Sequence, residues 1–232
     1  MKINDIDIKD YGGKQLKVDF QPPERITDYE WTEGAVIPRE AKTDIELGSI
    51  SIEMYFKGIS REEVLKNISR FLENFKTESI LQLDGFKRKY KGFLTAHKTT
   101  KTIRKEYYRL AIDMDGYFFD EKREVTLNNE KEKIIYIEGT RKTPCEIEIR
   151  AIRNIQNYKI TGISGEDIEI ERLEAGETLI INGADGTAKI NGENAFSRVN
   201  LWEFPILEPG ENKVCVTNAD AEVKIKFYNM WL

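Results

Sequence analysis

His97 is the sole histidine in a chain of 232 residues, so any serine or cysteine triad would have to use it as its base. It lies in "TAHKTTKTIRK" with no flanking acid, which predicts a surface histidine instead. Cys145 and Cys215 are the only cysteines, too few for a disulfide scaffold and too widely spaced for a zinc or redox pair. With one histidine they do not make up the several ligands a structural zinc site needs. Both are expected to be reduced and packed in strands. Asp113 and Asp115 in "DMDG" have the opening spacing of a calcium loop, yet "DMDGYFFDEKRE" does not carry its pattern of further oxygen ligands. That stretch reads as a strand end and turn.

The acidic run "EDIEIERLE" places Asp167, Glu169 and Glu171 on one strand face and Ile168 and Ile170 on the other, as any solvated sheet face does. Glycoside hydrolysis needs two carboxyl groups facing each other across a cleft, and nothing in the sequence sets up such a pair. No catalytic residue, metal ligand or cofactor is therefore expected. The basic stretch "KRKYKGFLTAHKTTKTIRK", Lys87 to Lys105, is different: it has no acidic residue in a chain of net charge -5. Its Lys87, Arg88, Lys89 and Lys91 are candidates for a subunit interface, where they would meet an acidic surface and fix its register. A merely solvent-exposed basic hairpin fits the same residues equally well.

Those residues need a scaffold, and period two supplies it. "ISIEMYF" puts Ile50, Ile52, Met54 and Phe56 on one strand face. "ILQLDGFKRKYKGFL" reads as a hairpin turning at Asp84-Gly85, a pair that accepts positive φ. Further strands are predicted at Tyr107–Met114, Lys133–Glu138, Glu146–Arg150, Asp167–Glu171, Thr178–Ile181 and Ala221–Tyr228. The one exception is "ISREEVLKNISRFLENFK". There Ser60 and Glu63 form a capping box, Ile59 and Val64 a hydrophobic staple, and Val64, Leu65, Ile68, Phe71, Leu72 and Phe75 an apolar stripe, so a helix is expected over residues 60–76.

The texture changes near "EGTRKTPCEIEI", from long hairpins to short strands separated by Gly and Asn turns. This predicts two domains, 1–139 and 140–232. "LEAGETLII" and "LEPGENKVC" echo each other as strand, turn and strand, with Pro209-Gly210 suited to a type II turn. Similar signals at "NGADG" and "INGEN" predict an antiparallel jelly-roll sandwich in the second half. Trp31, Trp202 and Trp231 are expected to pack, Trp202 closing the end of that sandwich. The fold class is thus mainly β with one α-helix.

No apolar run approaches the ~18 residues of a membrane span, and "MKINDIDIKD" lacks the apolar stretch of a secretory signal, so a cytosolic product without membrane insertion is expected. An acidic balance argues against general binding to nucleic acid backbones.

The C-terminal run "INGENAFSRVNLWEFPILEPGENKVCV" with the closing strand "AEVKIKFYNMWL" resembles the last domain of the distal tail proteins of siphophages and prophage tails. "INDIDIKDYG", the capped helix after "YFKGIS" and the hairpin around Gly85 resemble the N-terminal ring domain of the same family. The resemblance implies a tail-tube-like ring-forming domain followed by a galectin-like β-sandwich. It also implies a structural role without enzymatic activity: a hexameric ring at the virion tail tip or baseplate, assembled in the bacterial host cytoplasm. Its implied partners are further copies of the chain, the major tail tube protein, the tail-associated protein and a receptor-binding protein, with DNA only in transit through the channel. The alternative is a jelly-roll protein that binds host cell-surface saccharide.

Overall fold

Alternation in "ISIEMYF" requires a sheet to bury it, and that sheet organises the first half of the molecule. The computed structural model describes residues 1–127 and 130–231, less the side chains of Thr43 and Asp44. The chain divides into two compact units, Met1–Phe119 and Asp120–Trp231. The first contains β1 (Lys2–Ile3), β2 (Ile6–Asp7), β3 (Gly13–Gln21), β4 (Arg25–Glu30), β5 (Arg39–Ile45), β6 (Gly48–Lys57), α1 (Arg61–Leu72), β7 (Ser79–Gln82), β8 (Lys89–Lys101) and β9 (Tyr107–Phe119). Its main sheet runs β2-β1-β7-β8-β9-β6-β3, while β4 and β5 form a separate two-stranded sheet. All these pairings are antiparallel.

Ile50, Ile52, Met54 and Phe56 lie opposite Met114, Ile112, Leu110 and Tyr108 across the β6–β9 ladder, and all eight are buried. Each such side chain contributes roughly 1.5–3 kcal/mol by leaving water. The "DMDG" stretch is not a strand end, because β9 continues through it to Phe119. Gly116 makes this possible. It sits between Gly48 and Gly92 in the register, and a Cβ there would lie 2.1 Å from the Lys91 carbonyl oxygen.

The helix starts where its cap predicts. Ser60 Oγ accepts a hydrogen bond from the Glu63 N–H at 3.3 Å, but Glu63 Oε2 accepts from the N–H of Ile59, at 2.6 Å, rather than from that of Ser60. The expected staple does not form: Ile59 is 90% exposed. Val64 instead lies over Gly58, where a Cβ would come within 2.9 Å of its Cγ2. Val64, Ile68 and Phe71 are buried, and the helix gives way to a 3-10 turn, Glu73–Phe75, that adds Phe75. The buried stripe is narrower than expected, since Leu65 remains 43% exposed. In the β7–β8 connection, Gly85 takes φ +87° and the Phe86 N–H bonds to the Leu83 carbonyl at 3.3 Å. The turn is therefore one part of a longer loop.

The second unit contains β10 (Arg123–Leu127), β11 (Glu132–Ile137), β12 (Thr143–Pro144), β13 (Glu146–Ala151), β14 (Ile155–Thr161), β15 (Ile168–Leu173), β16 (Thr178–Asn182), β17 (Thr187–Ile190), β18 (Glu193–Asn194), β19 (Val199–Asn200), β20 (Ile206–Leu207), β21 (Gly210–Val216) and β22 (Ala221–Phe227). Two antiparallel sheets, β10-β22-β13-β16-β17-β18 and β11-β21-β14-β15-β19, share one core rich in isoleucine, including Ile135, Ile147, Ile160, Ile170, Ile181 and Ile225. This is the β-sandwich. Contacts divide the units at Phe119 and Asp120, ahead of the change of texture near residue 140, because β10 and β11 pair with β22 and β21 of the sandwich.

The echoed turns work alike. Gly176 and Gly210 both take φ +91°, and a side chain downstream closes each turn. Glu177 Oε2 accepts from the Glu174 N–H at 2.8 Å, and Asn212 Oδ1 from the Glu208 N–H at 2.9 Å. Asn212, itself buried, also donates to the Glu208 carbonyl at 2.8 Å. Between β17 and β18, Asn191 and Gly192 take φ +51° and +87°, as a two-residue type I′ hairpin requires. Cys145 is buried and Cys215 partly so, and both are free thiols; burial pushes the Cys145 thiol up to about 12, which leaves it inert at neutral pH. Among the described residues, no helix is long and apolar enough to cross a membrane.

Candidate interaction surfaces

The basic segment is stretched along β8, and the structure separates its two ends. Lys87 and Arg88 lie exposed in the loop before β8, and Lys89 is exposed at its first position. Lys91, half-buried, places its Nζ 2.8 Å from Glu78 Oε2. Burial opposes its charge, and the hydrogen bonds to Glu78 and Tyr117 together with their charges outweigh that, so it is held above the ordinary lysine value. The loop is shaped by Phe86, whose ring stacks on Phe118 at 5.6 Å. These four residues thus fall in the loop and the first positions of β8, with Lys91 tied to Glu78. His97, further along β8, is exposed.

At the far end of β8 lies a groove of about 640 Å³ lined by Leu16, Tyr55, Ile103, Tyr107 and the cations Lys101, Arg104 and Arg109, with Thr100 and Thr102 between them. Four strands and a turn build it. A bulge between Gln15 and Lys17 leaves Leu16 as the extra residue of β3, and a bulge re-aims the side chain it carries. Tyr55 and Tyr107 approach with centroids 6.1 Å apart, and Lys57 Nζ stands 5.9 Å over the Tyr107 ring. Thr102 Oγ1 bonds to the carbonyls of Arg104 and Tyr107, at 2.9 and 2.8 Å, which fixes the turn. No acidic side chain is among the lining residues, so the groove presents apolar surface ringed by positive charge. Sequence reading flagged Lys101 to Lys105 as basic; it had no signal for Leu16, Tyr55 or Arg109, which only strand pairing brings there.

The sandwich carries a smaller polar cleft of about 390 Å³ lined by Gln156, Asn157, Glu171, Arg172, Ser197 and Arg198. Arg198 Nη1 lies 2.9 and 3.1 Å from the two carboxylate oxygens of Glu177. The Glu174 N–H, and then Arg198, hold that carboxyl below its ordinary value. No aromatic ring lines the cleft for a sugar to stack on.

Two of the three tryptophans depart from expectation, whereas Trp231 is partly buried in a strand, Met230–Trp231. Trp31 is 67% exposed and Trp202 82%. Phe204 takes the place predicted for Trp202. It meets Phe196 edge-on at 5.9 Å and lies over Gly186, where a Cβ would stand 3.3 Å from its ring. Ser164 Oγ donates to the Phe204 carbonyl at 2.9 Å and holds the segment, which turns the neighbouring Trp202 to solvent.

The fold defines a two-unit, mainly β protein. Residues 138–231 match the family described as "Siphovirus-type tail component, C-terminal domain". Across 99% of this chain and 98% of the other, the fold is similar to the crystal structure of the SPP1 Dit (gp 19.1) protein, described as a paradigm of the hub adsorption apparatus in Gram-positive infecting phages, with a TM-score of 0.77 at 10% identity. It is also similar to a chain of the phage P2 baseplate in its activated conformation with Ca (TM-score 0.52, 14% identity, 95% and 92% of the two chains), and to the same baseplate with Sr (TM-score 0.51, 16% identity, the same coverage). No curated protein matches the chain. The resemblance to the distal tail proteins, drawn above from the C-terminal turns and strands and from the capped helix, thus agrees with the family model that residues 138–231 match and with the fold.

Proposed function

We propose that this protein is a structural component of a siphovirus-type tail tip, a ring of six copies that joins the tail tube to the tail-associated and host-binding proteins and lets DNA pass through its centre. The match of residues 138–231 to the tail-component family carries this reading. In it, the first unit closes the ring and the sandwich stands outside as an attachment point. The exposed basic stretch Lys87–Lys89 meets an acidic surface of a neighbouring subunit or of the adjoining ring, where complementary charge steers docking and sets register more than it adds affinity.

Negative-stain electron microscopy of the purified protein at high concentration, with light scattering on the same sample, tests this. The expected result is six-fold rings with an open centre and a mass about six times the 27.0 kDa of one chain. Arg88→Glu with Lys89→Glu is expected to weaken assembly and flatten its dependence on salt; unchanged assembly removes the stretch from the interface. A second reading, binding of host saccharide by the sandwich, is favoured by Trp202, because an indole 82% exposed offers a stacking face. Monomers at every concentration, together with glycan binding that Trp202→Ala abolishes, are the results that would replace the ring with this reading.

A further inference from the structure

The β4–β5 hairpin is an anomaly in the first unit. Among the described residues its strands pair only with each other, as a two-stranded sheet, and its apolar side chains face water: Tyr29 is 62% exposed, Trp31 67%, Val36 92% and Ile37 76%. A two-stranded hairpin by itself is marginally stable in water, and exposed aromatic and aliphatic side chains gathered on one arm mark a surface that another protein covers. The stretch from Ile26 to Pro38, "ITDYEWTEGAVIP", carries Asp28, Glu30 and Glu33 and no basic residue. Across the hairpin Lys42 stands opposite Asp28 and Arg39 opposite Glu30, so the arm keeps a negative balance, and its tip is apolar with Glu33 as an acid beyond those pairs. This complements the apolar and cationic groove of Leu16, Tyr55, Ile103, Tyr107, Lys101, Arg104 and Arg109.

The arm springs from one end of the main sheet and the groove lies toward the other. β3 and β6 pair from Gly13–Phe56 at one end to Gln21–Ser49 at the other. The arm leaves at the Gln21 end, whereas Leu16 and Tyr55 of the groove lie toward the Gly13 end. From Gly48 to Tyr55 the separation is about 23 Å at roughly 3.3 Å per strand residue. The exposure of Tyr29 and Trp31 shows that the arm does not fill the groove of its own chain. Such an arrangement of donor and acceptor surfaces is head-to-tail, and a head-to-tail contact repeats from copy to copy until it closes a ring or extends as a filament.

We infer that the β4–β5 arm of one copy docks its tip, Asp28 to Ile37, into the Leu16–Tyr55–Tyr107 groove of the next copy of this chain. The rings of Tyr29 and Trp31 enter the apolar floor, and the negative tip, with Glu33 at its end, faces Lys101, Arg104 and Arg109. This rests on the ring reading and names the contact that propagates it. An aromatic anchor in a pocket surrounded by complementary charge is where binding energy concentrates.

The test uses the full chain in three forms. An arm variant, Asp28→Lys with Glu30→Lys and Glu33→Lys, makes a basic arm against a basic groove. A groove variant, Lys101→Glu with Arg104→Glu and Arg109→Glu, makes an acidic groove against an acidic arm. Each alone is expected to stay monomeric by light scattering where the wild type assembles, and an equimolar mixture is expected to assemble again, since each arm then meets an opposite groove. Recovery on mixing also excludes misfolding as the cause of the loss. A Trp31→Cys, Ile103→Cys chain is expected to form disulfides between copies under mild oxidation, yielding a ladder of multimers. If the wild type forms rings but both charge variants assemble as it does and no disulfide ladder appears, the arm-to-groove contact is wrong and the ring stands. If the wild type is monomeric at every concentration, the ring and this contact fall together.

Discussion

Gly162→Ala is expected to lower the stability of the sandwich by about 3–5 kcal/mol, at the upper end of what single substitutions do. Gly162 follows β14 with φ +83°, and a Cβ there would lie 1.9 Å from the Lys213 carbonyl oxygen and 2.8 Å from its carbon. The left-handed backbone costs a non-glycine residue about 1–2 kcal/mol. The rest comes from displacing the Lys213 backbone, and with it the Ile160–Val216 and Thr161–Cys215 pairings of β14 with β21. Gly176→Ala is the comparison, because Gly176 takes φ +91° with nothing within 4 Å of the added atom. It should lose only the backbone contribution. Differential scanning calorimetry of the full chain measures both, and for a unit of this size the Gly162 variant should melt roughly 10 °C or more lower. Equal losses in the two variants would show that strand β21 yields freely, contrary to the close approach seen here.

Phe71→Ala is the second large effect, expected in the first unit. Phe71 is wholly buried and meets three rings, with centroids 5.8 Å from Tyr11, 5.3 Å from Phe56 and 5.4 Å from Phe75. With Val64 and Ile68, also buried, it holds the helix, and its ring meets Phe56 of β6. Truncating a buried phenylalanine costs about 3–5 kcal/mol, transfer and cavity together, and three ring contacts place this site toward the higher figure. Hydrogen exchange should then show the amides of α1 losing protection before those of β6 and β9, because the helix has lost one of its anchors while the β6–β9 ladder retains its own core. Leu65→Ala, on the 43% exposed side of the same helix, should change stability by less than about 1 kcal/mol. Comparable losses from the two would mean that the helix is held evenly along its length.

Much of the fold was legible because its signals are local. Alternation at Ile50, Ile52, Met54 and Phe56 needs only the two-residue period of a strand, and Ser60 with Glu63 marks the helix start because a cap is satisfied within one turn. Asn191-Gly192 and Pro209-Gly210 marked their turns for the same reason: glycine, and asparagine less readily, accepts positive φ whatever surrounds it, and proline presets its own φ. The failures were equally physical. Ile59 was expected in a staple, yet Gly58 left the space that Val64 occupies. "DMDG" read as a turn, but the facing glycines Gly48 and Gly92 let β9 run on. Trp202 was expected to pack, whereas Phe204, held by Ser164, fills that end of the sandwich.

The sequence alone determined a mainly β chain with one helix, the basic character of Lys87–Lys105, and the C-terminal pattern that resembles the tail-component family. Each depends on residues close together along the chain. Tertiary structure decided the rest: that Lys91 is tied to Glu78, that Leu16, Tyr55 and Arg109 join Lys101 in one groove, and that the β4–β5 arm stands apart from the sheet. Those facts depend on strand register, and register is set by the burial of distant side chains against one another. A single-step slip would move Leu16 or Tyr55 to the other face, so no reading of one strand at a time could have assembled the groove.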